Sequence, residues 1–360
     1  LSSDREDQKA QFLQAAGLGD AKREALAGDA STRRYERVYP AKGGASLIFM
    51  DQPPSVETQP CPPQASAAER QALGYNAMAR LAAGRVEAFV ANAGYLRGCG
   101  LSAPAIHAAD AAMGLAVLED LGDALFAQGA PEPALYGPAI EVLVKLHQAK
   151  PPPVLSSDGL SWPLLTYDDL ALQTGCDLFL EWWPKYSGLA PFTDEALAQW
   201  EVLWAPIRAR GAAGASVFAH RDYHAENLIW LDGRQGVARV GLLDFQDALR
   251  AHPAWDLLSL LQDARRDIDP ALEKAMLDQY FTLQGLGDKA QFMSDYRGLA
   301  ALNAARILFI FARQVAGFGK PRYVDFMPRT WRYLERNLSA PDLAPLRAWF
   351  DKYVPKEARA

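Results

Sequence analysis

Asp222, Asn227 and Asp244 have the side-chain types and the order in the chain to do chemistry together. They lie in the stretch Phe218-Ala-His220-Arg-Asp222-Tyr-His224-Ala-Glu-Asn227-Leu-Ile-Trp-Leu231, then Asp232-Gly233, then Val237-Ala-Arg-Val-Gly-Leu-Leu243-Asp244-Phe245-Gln246-Asp247. One carboxylate can take a proton from an attacking hydroxyl. An amide oxygen and a second carboxylate are hard ligands suited to the magnesium that bridges nucleotide phosphates in phosphoryl transfer. The apolar, β-branched runs on either side of Asp232-Gly233 predict a β-hairpin, which would bring all three residues to one rim. Two other readings stay open. His220, Asp222 and His224 alternate, so on a strand they would share a face and could bind zinc, or they could form a purely structural polar turn. Only His107, His147 and His252 remain as further histidines, and none lies in an H-E-x-x-H pattern.

The interval from Asp222 to Asn227 matches the catalytic loop H-R-D-x-x-x-x-N, and Asp244-Phe245 stands where the metal ligand of D-F-G stands. Either motif alone is weak; in this order, joined by a hairpin, they are specific. The chain resembles the aminoglycoside phosphotransferase and choline kinase branch of the protein-kinase-like fold, in which a histidine often follows the catalytic Asp by two residues, as His224 does. Within that branch it is most similar to the anomeric N-acetylmuramate/N-acetylglucosamine kinases of cell-wall recycling. That closer likeness is carried by Gly28-Asp-Ala-Ser31-Thr-Arg33-Arg34-Tyr35, Met50-Asp51-Gln-Pro53-Pro54, Leu118-Glu119-Asp120-Leu121-Gly122-Asp123, Asp244-Phe245-Gln246-Asp247-Ala248 and Gly319-Lys320-Pro321-Arg322-Tyr323.

The resemblance implies an α+β, two-lobed kinase-like fold: a small β-containing N-terminal lobe over residues 1–118 and a mostly helical lobe over 119–360. It implies ATP and Mg2+ as cofactors and a sugar hydroxyl as acceptor, the anomeric one of N-acetylmuramate or N-acetylglucosamine. Asp222 would be catalytic, and Asn227 and Asp244 would hold the metal. Asp247 would touch magnesium or substrate, and His224 would sit on the substrate side. Asp256 would support the catalytic-loop backbone. Another small acceptor (an aminoglycoside, choline or a different sugar) and a nucleotide-binding regulator without turnover are the alternatives.

These residues need elements to position them. Ser3-Asp-Arg-Glu6 has the form of a capping box opening a helix to about Ala16, and a second short helix is expected from Asp20 to Ala27. Gly28 to Thr32 is where a phosphate-covering loop would lie, offering backbone N–H groups and the Ser31 and Thr32 hydroxyls, although the same residues make an ordinary turn. Strands are expected at Tyr35–Tyr39 and Ser46–Met50. The second of these, where a phosphate-binding lysine would stand, reads Leu47-Ile-Phe-Met-Asp51 and has none. Arg33, Arg34 or Arg37 could supply the charge instead, or merely solvate an edge strand.

Further on, a helix is expected over Ala65–Ala83 and another over Val86–Arg97. Leu115 to Asp123 reads as a strand running into a hinge, whose backbone from Glu119 to Leu121 would bond the adenine edge. Pro133 to Ala149 is a helix with His147 at the core edge. Tyr167 to Tyr186, with Asp168 and Trp182, lies where the family places substrate-facing helices, although tryptophans at helical spacing also serve as core. Only eleven residues separate Asp244 from Asp256, too few for a protein-kinase activation segment, so a small acceptor is expected. Arg306 and Arg313, seven apart on an apolar helix over Leu302–Ala316, share a face toward a substrate cleft or toward acidic partners.

At 360 residues and 50% hydrophobic, the chain can bury a large core divided into two lobes. A formal charge of −6 with no Lys/Arg run argues against nucleic acid as a partner. Cys61, Cys99 and Cys176 are odd in number and widely spaced, which fits a reducing compartment. The most apolar run, Ile307–Ala312, is bounded by Arg306 and Arg313, so no membrane span is expected. A soluble, cytoplasmic monomer is the expectation. The first residue is Leu, which fits a trimmed chain, an unusual start or a piece of a longer polypeptide.

Overall fold

The computed structural model describes residues 2–26, 33–53 and 60–359. Its helices are α1 Ser2–Ala15, α2 Ala67–Leu73, α3 Tyr75–Met78, α4 Val86–Gly98, α5 Pro133–Gln148, α6 Asp169–Ser187, α7 Asp194–Ala213, α8 Ala254–Leu261, α9 Pro270–Gln284, α10 Lys289–Ala316, α11 Met327–Leu338 and α12 Ala344–Tyr353. Its strands are β1 Lys22–Ala25, β2 Arg34–Tyr39, β3 Leu47–Asp51, β4 Ile106–Asp110, β5 Leu115–Glu119, β6 Val154–Ser157, β7 Leu160–Pro163, β8 Val217–Ala219, β9 Leu228–Trp230, β10 Val240–Leu242 and β11 Leu249–Ala251. The chain forms two compact units. The first takes Leu1–Gln128, Pro152–Leu165 and Glu226–Ala248; the second takes Gly129–Pro151, Thr166–Ala225 and Leu249–Ala360.

The first unit is built on a five-stranded antiparallel sheet in the order β1-β2-β3-β5-β4. One face packs on α1, where Phe12 and Leu13 meet Val38, Phe49, Leu115 and Val117; Ala116 and Leu118, on the other face of β5, are buried too. Polar anchors fix α1 to the sheet, with Arg5 bonded to Asp51 and Lys9 Nζ 3.0 Å from Glu36. The segment expected to be a helix from Asp20 to Ala27 is instead strand β1 over Lys22–Ala25. Its Ala, Lys, Arg and Glu are good helix formers, but intrinsic propensity is small per residue and tertiary pairing overrides it. Pairing to β2, in register Lys22↔Tyr39 to Ala25↔Glu36, satisfies its backbone and sets Arg23 against Glu36 at 3.3 Å.

The single helix expected over Ala65–Ala83 is likewise broken. Ser66 and Glu69 form a capping box that starts α2, but Gly74 turns to φ +90° and ends it. The buried Arg70 side chain bridges the break by donating to the carbonyls of Ala77 at 3.2 Å and Met78 at 2.6 Å. The hairpin downstream forms, with changed limits. β9 and β10 are three residues each, in register Leu228↔Leu242 to Trp230↔Val240. Asp232-Gly233 only opens their connection, which continues through a 3-10 turn over Gly236–Arg239 with Gly236 at φ +56°. Phe218 is not part of that hairpin: it lies in β8, which pairs with β11.

The second unit is mostly helical. Trp183 of α6 and Trp200 of α7 stack on Phe179 at centroid distances of 5.5 and 5.6 Å, with Trp331 of α11 and Phe350 of α12 edge-on to the same ring. Helix α10 starts at Lys289, capped by Asp288, thirteen residues before the expected Leu302. By length and composition it is the one helix among the described residues that could cross a membrane, which the run Ile307–Ala312 alone did not suggest; 61% of its most apolar window is buried inside the protein.

Candidate active site

The Asp222 loop belongs to the second unit. β8 delivers the chain to His220, and there the backbone is held by a buried carboxylate: Asp256, at the start of α8, accepts from the N–H of His220 at 2.7 Å and of Arg221 at 2.9 Å. Arg221 sits at φ +81°, a conformation that costs a side-chain-bearing residue energy and needs support. Support comes from the Trp255 indole N–H donating to its carbonyl at 3.2 Å, and from its guanidinium lying 4.9 Å over the Tyr167 ring. One residue past Asp222, the Tyr223 hydroxyl donates to the Ala139 carbonyl at 2.8 Å. Burial pushes Asp256 up to about 7, against its two N–H bonds and with the help of the nearby Asp222 charge.

Arg306 Nη2 lies 3.7 Å from Asp222 Oδ1. Burial would raise the Asp222 carboxyl, but Arg306 first, then Arg221 and the two histidines, hold it below the ordinary carboxylate value. A cavity opens on this group. Asp222 and His224 line it from the loop, Ser259, Asp263 and Arg265 from α8 and the turn after it, and Asn303, Arg306, Ile307, Ile310 and Phe311 from α10. One part of the wall is charged and polar, the other apolar. An ionised acceptor-only carboxylate in such a cavity can receive a proton from a hydroxyl or orient it.

Asn227 and Asp244 belong to the first unit, on the β9–β10 hairpin. The register that pairs Leu228 with Leu242 continues one residue further, where Leu243 N–H donates to the Asn227 carbonyl at 2.9 Å, so Asn227 and Asp244 stand at the same end of the hairpin. Asp244 has φ +59°. Asn92 of α4 steadies the turn after it by donating to the carbonyls of Phe245 at 2.9 Å and Gln246 at 3.2 Å. Arg33 donates to Asp244 Oδ1 and to Gln246 Oε1, each at 2.7 Å. One amide oxygen and one carboxylate are the hard donor set magnesium accepts when phosphates and water complete its shell, so the residues fit that ion.

The other expected positions fall as follows. Ser31 and Thr32 lie outside the described residues. Arg34 is exposed, and Arg37 is engaged with Asp120 and Asp123, each at 2.7 Å, which leaves Arg33 as the arginine of the three beside Asp244. Glu119 accepts from Arg234 and from the Ala105 N–H at 3.0 Å, while its own N–H donates to the Ala105 carbonyl at 2.8 Å; Leu121 is half-buried. Asp247 accepts the Ala82 N–H at 2.6 Å. Asp168 caps α6 by accepting from Ala171 N–H at 3.1 Å. Trp182 is half-buried between Lys185 and Arg313, 4.4 and 5.8 Å from its ring, and Arg313 also lies 5.2 Å from the Phe318 ring. The cavity wall thus takes in Asp222, His224 and Arg306 but not Asp168, Trp182 or Arg313. Asp263, Arg265 and Asn303 carry no sign in the sequence, because a lone acid, arginine or amide makes no motif.

A family model described as phosphotransferase enzyme family matches residues 22–302. The chain is 60% identical, over 100% of its own length and 99% of the relative's, to a Caulobacter vibrioides protein named N-acetylmuramate/N-acetylglucosamine kinase. A Pseudomonas aeruginosa protein of the same name is 31% identical over 88% of this chain and 84% of that one. Among solved structures, the Plasmodium vivax ethanolamine kinase superposes with a TM-score of 0.56 over 95% of this chain and 88% of that one, at 13% identity, a likeness of fold.

Proposed function

This chain belongs to the phosphotransferase enzyme family, with the two-lobed α+β kinase-like fold, and from that premise we propose that it transfers the γ-phosphoryl group of ATP to the anomeric hydroxyl of N-acetylmuramate or N-acetylglucosamine. The observation that carries the choice of acceptor is the full-length likeness to the Caulobacter protein of that name. In this reading Asp222 accepts a hydrogen bond from the attacking hydroxyl, aligns its lone pair and takes its proton as the bond to phosphorus forms. Arg306 keeps that carboxylate ionised. Asp256 holds the backbone on which Asp222 rides, so the geometry exists before substrate arrives.

Asn227 and Asp244 would hold magnesium, which when bound neutralises charge on the nucleotide phosphates. Arg33 takes the part of the missing strand lysine, offering a planar fork of donors to phosphate oxygens beside Asp244. Backbone groups between Glu119 and Leu121 not already bonded, unlike the Glu119 N–H, would serve adenine, and Ser31 and Thr32, outside the described residues, would serve phosphate. Ile307, Ile310 and Phe311 give the C–H faces and acetyl group of a sugar an apolar wall. The same reading takes the protein as a cytoplasmic monomer of cell-wall recycling, with a net charge of −6 that suits neither nucleic acid nor an anionic membrane.

The test is turnover with ATP and magnesium against N-acetylmuramate, N-acetylglucosamine, other hexoses, choline and aminoglycosides, with Asp222→Asn in parallel. Phosphorylation of an amino sugar at its anomeric position, lost in the variant, is the expected result. Transfer to choline or an aminoglycoside in preference to any sugar would overturn the acceptor; ATP binding with no transfer to any compound would overturn the activity.

A further inference from the structure

We propose that Asp263 is the residue that grips the ring hydroxyls of the acceptor and thereby sets which sugars the cavity takes. This rests on the amino-sugar kinase reading given above. Asp263 follows α8 in a short turn, and its side chain is 1% exposed. Oδ1 is spent locally: it accepts the Arg265 N–H at 3.0 Å, with Arg265 Nη1 3.8 Å away. Oδ2 is buried and has no hydrogen-bond partner among the described residues. A carboxylate oxygen removed from water without a donor is a standing cost to the fold. The charges of Arg265 and Arg329 offset part of that cost, but no group among the described residues donates to Oδ2.

Its position supplies a reason. Asp263 shares the wall of the cavity with Asp222, yet comes from a different element. A sugar held by Asp222 alone could pivot about the reacting hydroxyl, and misalignment of that kind slows transfer steeply. A second acceptor-only group on another part of the wall removes the pivot. The Oδ2 atom has two lone pairs to offer O–H groups, and charge makes such bonds stronger than neutral ones. N-acetylmuramate and N-acetylglucosamine differ at the oxygen on carbon 3 and share free hydroxyls on carbons 4 and 6. A site that serves both takes its grip on what they share, the acetamido group on carbon 2 and these two hydroxyls, and the hydroxyls are the groups assigned to Asp263.

The test compares the whole protein and its Asp263→Asn variant with N-acetylglucosamine and its 4-deoxy and 6-deoxy analogues at saturating ATP, alongside the KM for ATP and thermal melting. Asn keeps the volume and removes the charge. The wild-type protein should lose about 100-fold in kcat/KM on at least one deoxy analogue, as expected of a site built to bond a hydroxyl. The variant should raise the KM for the parent sugar by about tenfold or more and lose most of that discrimination, with the KM for ATP unchanged. Discrimination kept in full by the variant would overturn the inference while leaving the kinase reading intact. A parallel rise in both KM values with a lowered melting temperature would overturn it too, by assigning Asp263 a structural role. If the wild-type protein phosphorylates no amino sugar, the acceptor reading fails first and this inference falls with it.

Discussion

Replacing Arg306 by Gln should move the acidic limb of the pH–activity profile upward. Arg306 Nη2 stands 3.7 Å from Asp222 Oδ1. Two unit charges at that separation attract by about 1 kcal/mol at the dielectric constant of water and by roughly 4 kcal/mol at an effective value of 20. About a third of the Asp222 side chain remains open to solvent, so screening places the effect near the lower figure. At about 1.4 kcal/mol per decade, removing the guanidinium should raise the limb by about one pH unit. The direction follows from the Asp222 carboxyl being held below its ordinary value, with Arg306 the foremost charge doing so. The same pair stabilises the fold above the unfolded carboxylate value, and that contribution is lost as pH falls through the depressed one. The assay is kcat/KM for the acceptor from about pH 4 to 8 on the wild type, Arg306→Gln and Arg306→Lys. Lysine retains the charge and should return the limb most of the way. If the Gln and wild-type profiles superpose while both proteins stay folded, the guanidinium does not govern the ionisation of Asp222 and the argument is wrong.

Arg33→Ala should raise the KM for ATP by about tenfold or more, since it removes a donor fork, whereas Arg34→Ala at an exposed position should change it less than about twofold; equal effects would remove Arg33 from the nucleotide site. Asp247→Ala leaves the Ala82 N–H without its acceptor and should cost about 1–3 kcal/mol in urea unfolding. Unchanged stability with lost activity would show instead that Asp247 serves the ligands. Asp256 is raised to about 7, so its protonated form favours the fold: its contribution is full below the ordinary carboxylate value and is lost as pH climbs to about 7. Asp256→Asn should therefore flatten the fall in urea midpoint between about pH 4 and 7 and lower kcat through one lost backbone bond; an identical slope in both proteins would refute this.

Much of the site can be read in the chain because its parts are local. Asp222 and Asn227 are five positions apart in the chain, and Asn227 and Asp244 stand at the same end of one hairpin, so spacing alone relates them. Asp256 could be placed against the catalytic-loop backbone from resemblance, and the bonds to His220 and Arg221 agree. The absence of a lysine in Leu47–Asp51 was equally plain, but three arginines could answer it. Only the packing separates them: Arg37 is drawn to Asp120 and Asp123, Arg34 is left at the surface, and Arg33 meets Asp244.

The sequence determined the chemistry on offer, the helical or extended character of the long periodic segments, and the family. Tertiary structure decided whatever depends on partners distant in the chain. β1 is a strand because β2 lies beside it, although its own residues lean toward a helix. Of the adjacent pair Trp182 and Trp183, one is core and the other half-buried because α6 turns about 100° between them against α7, α11 and α12. Arg306 and Arg313 share a face in principle, yet one reaches Asp222 and the other packs on Trp182 and Phe318. Asp263 carries no local sign at all. Its meaning comes from burial and an unpaired oxygen, and both are properties of the surroundings that folding assembles around it.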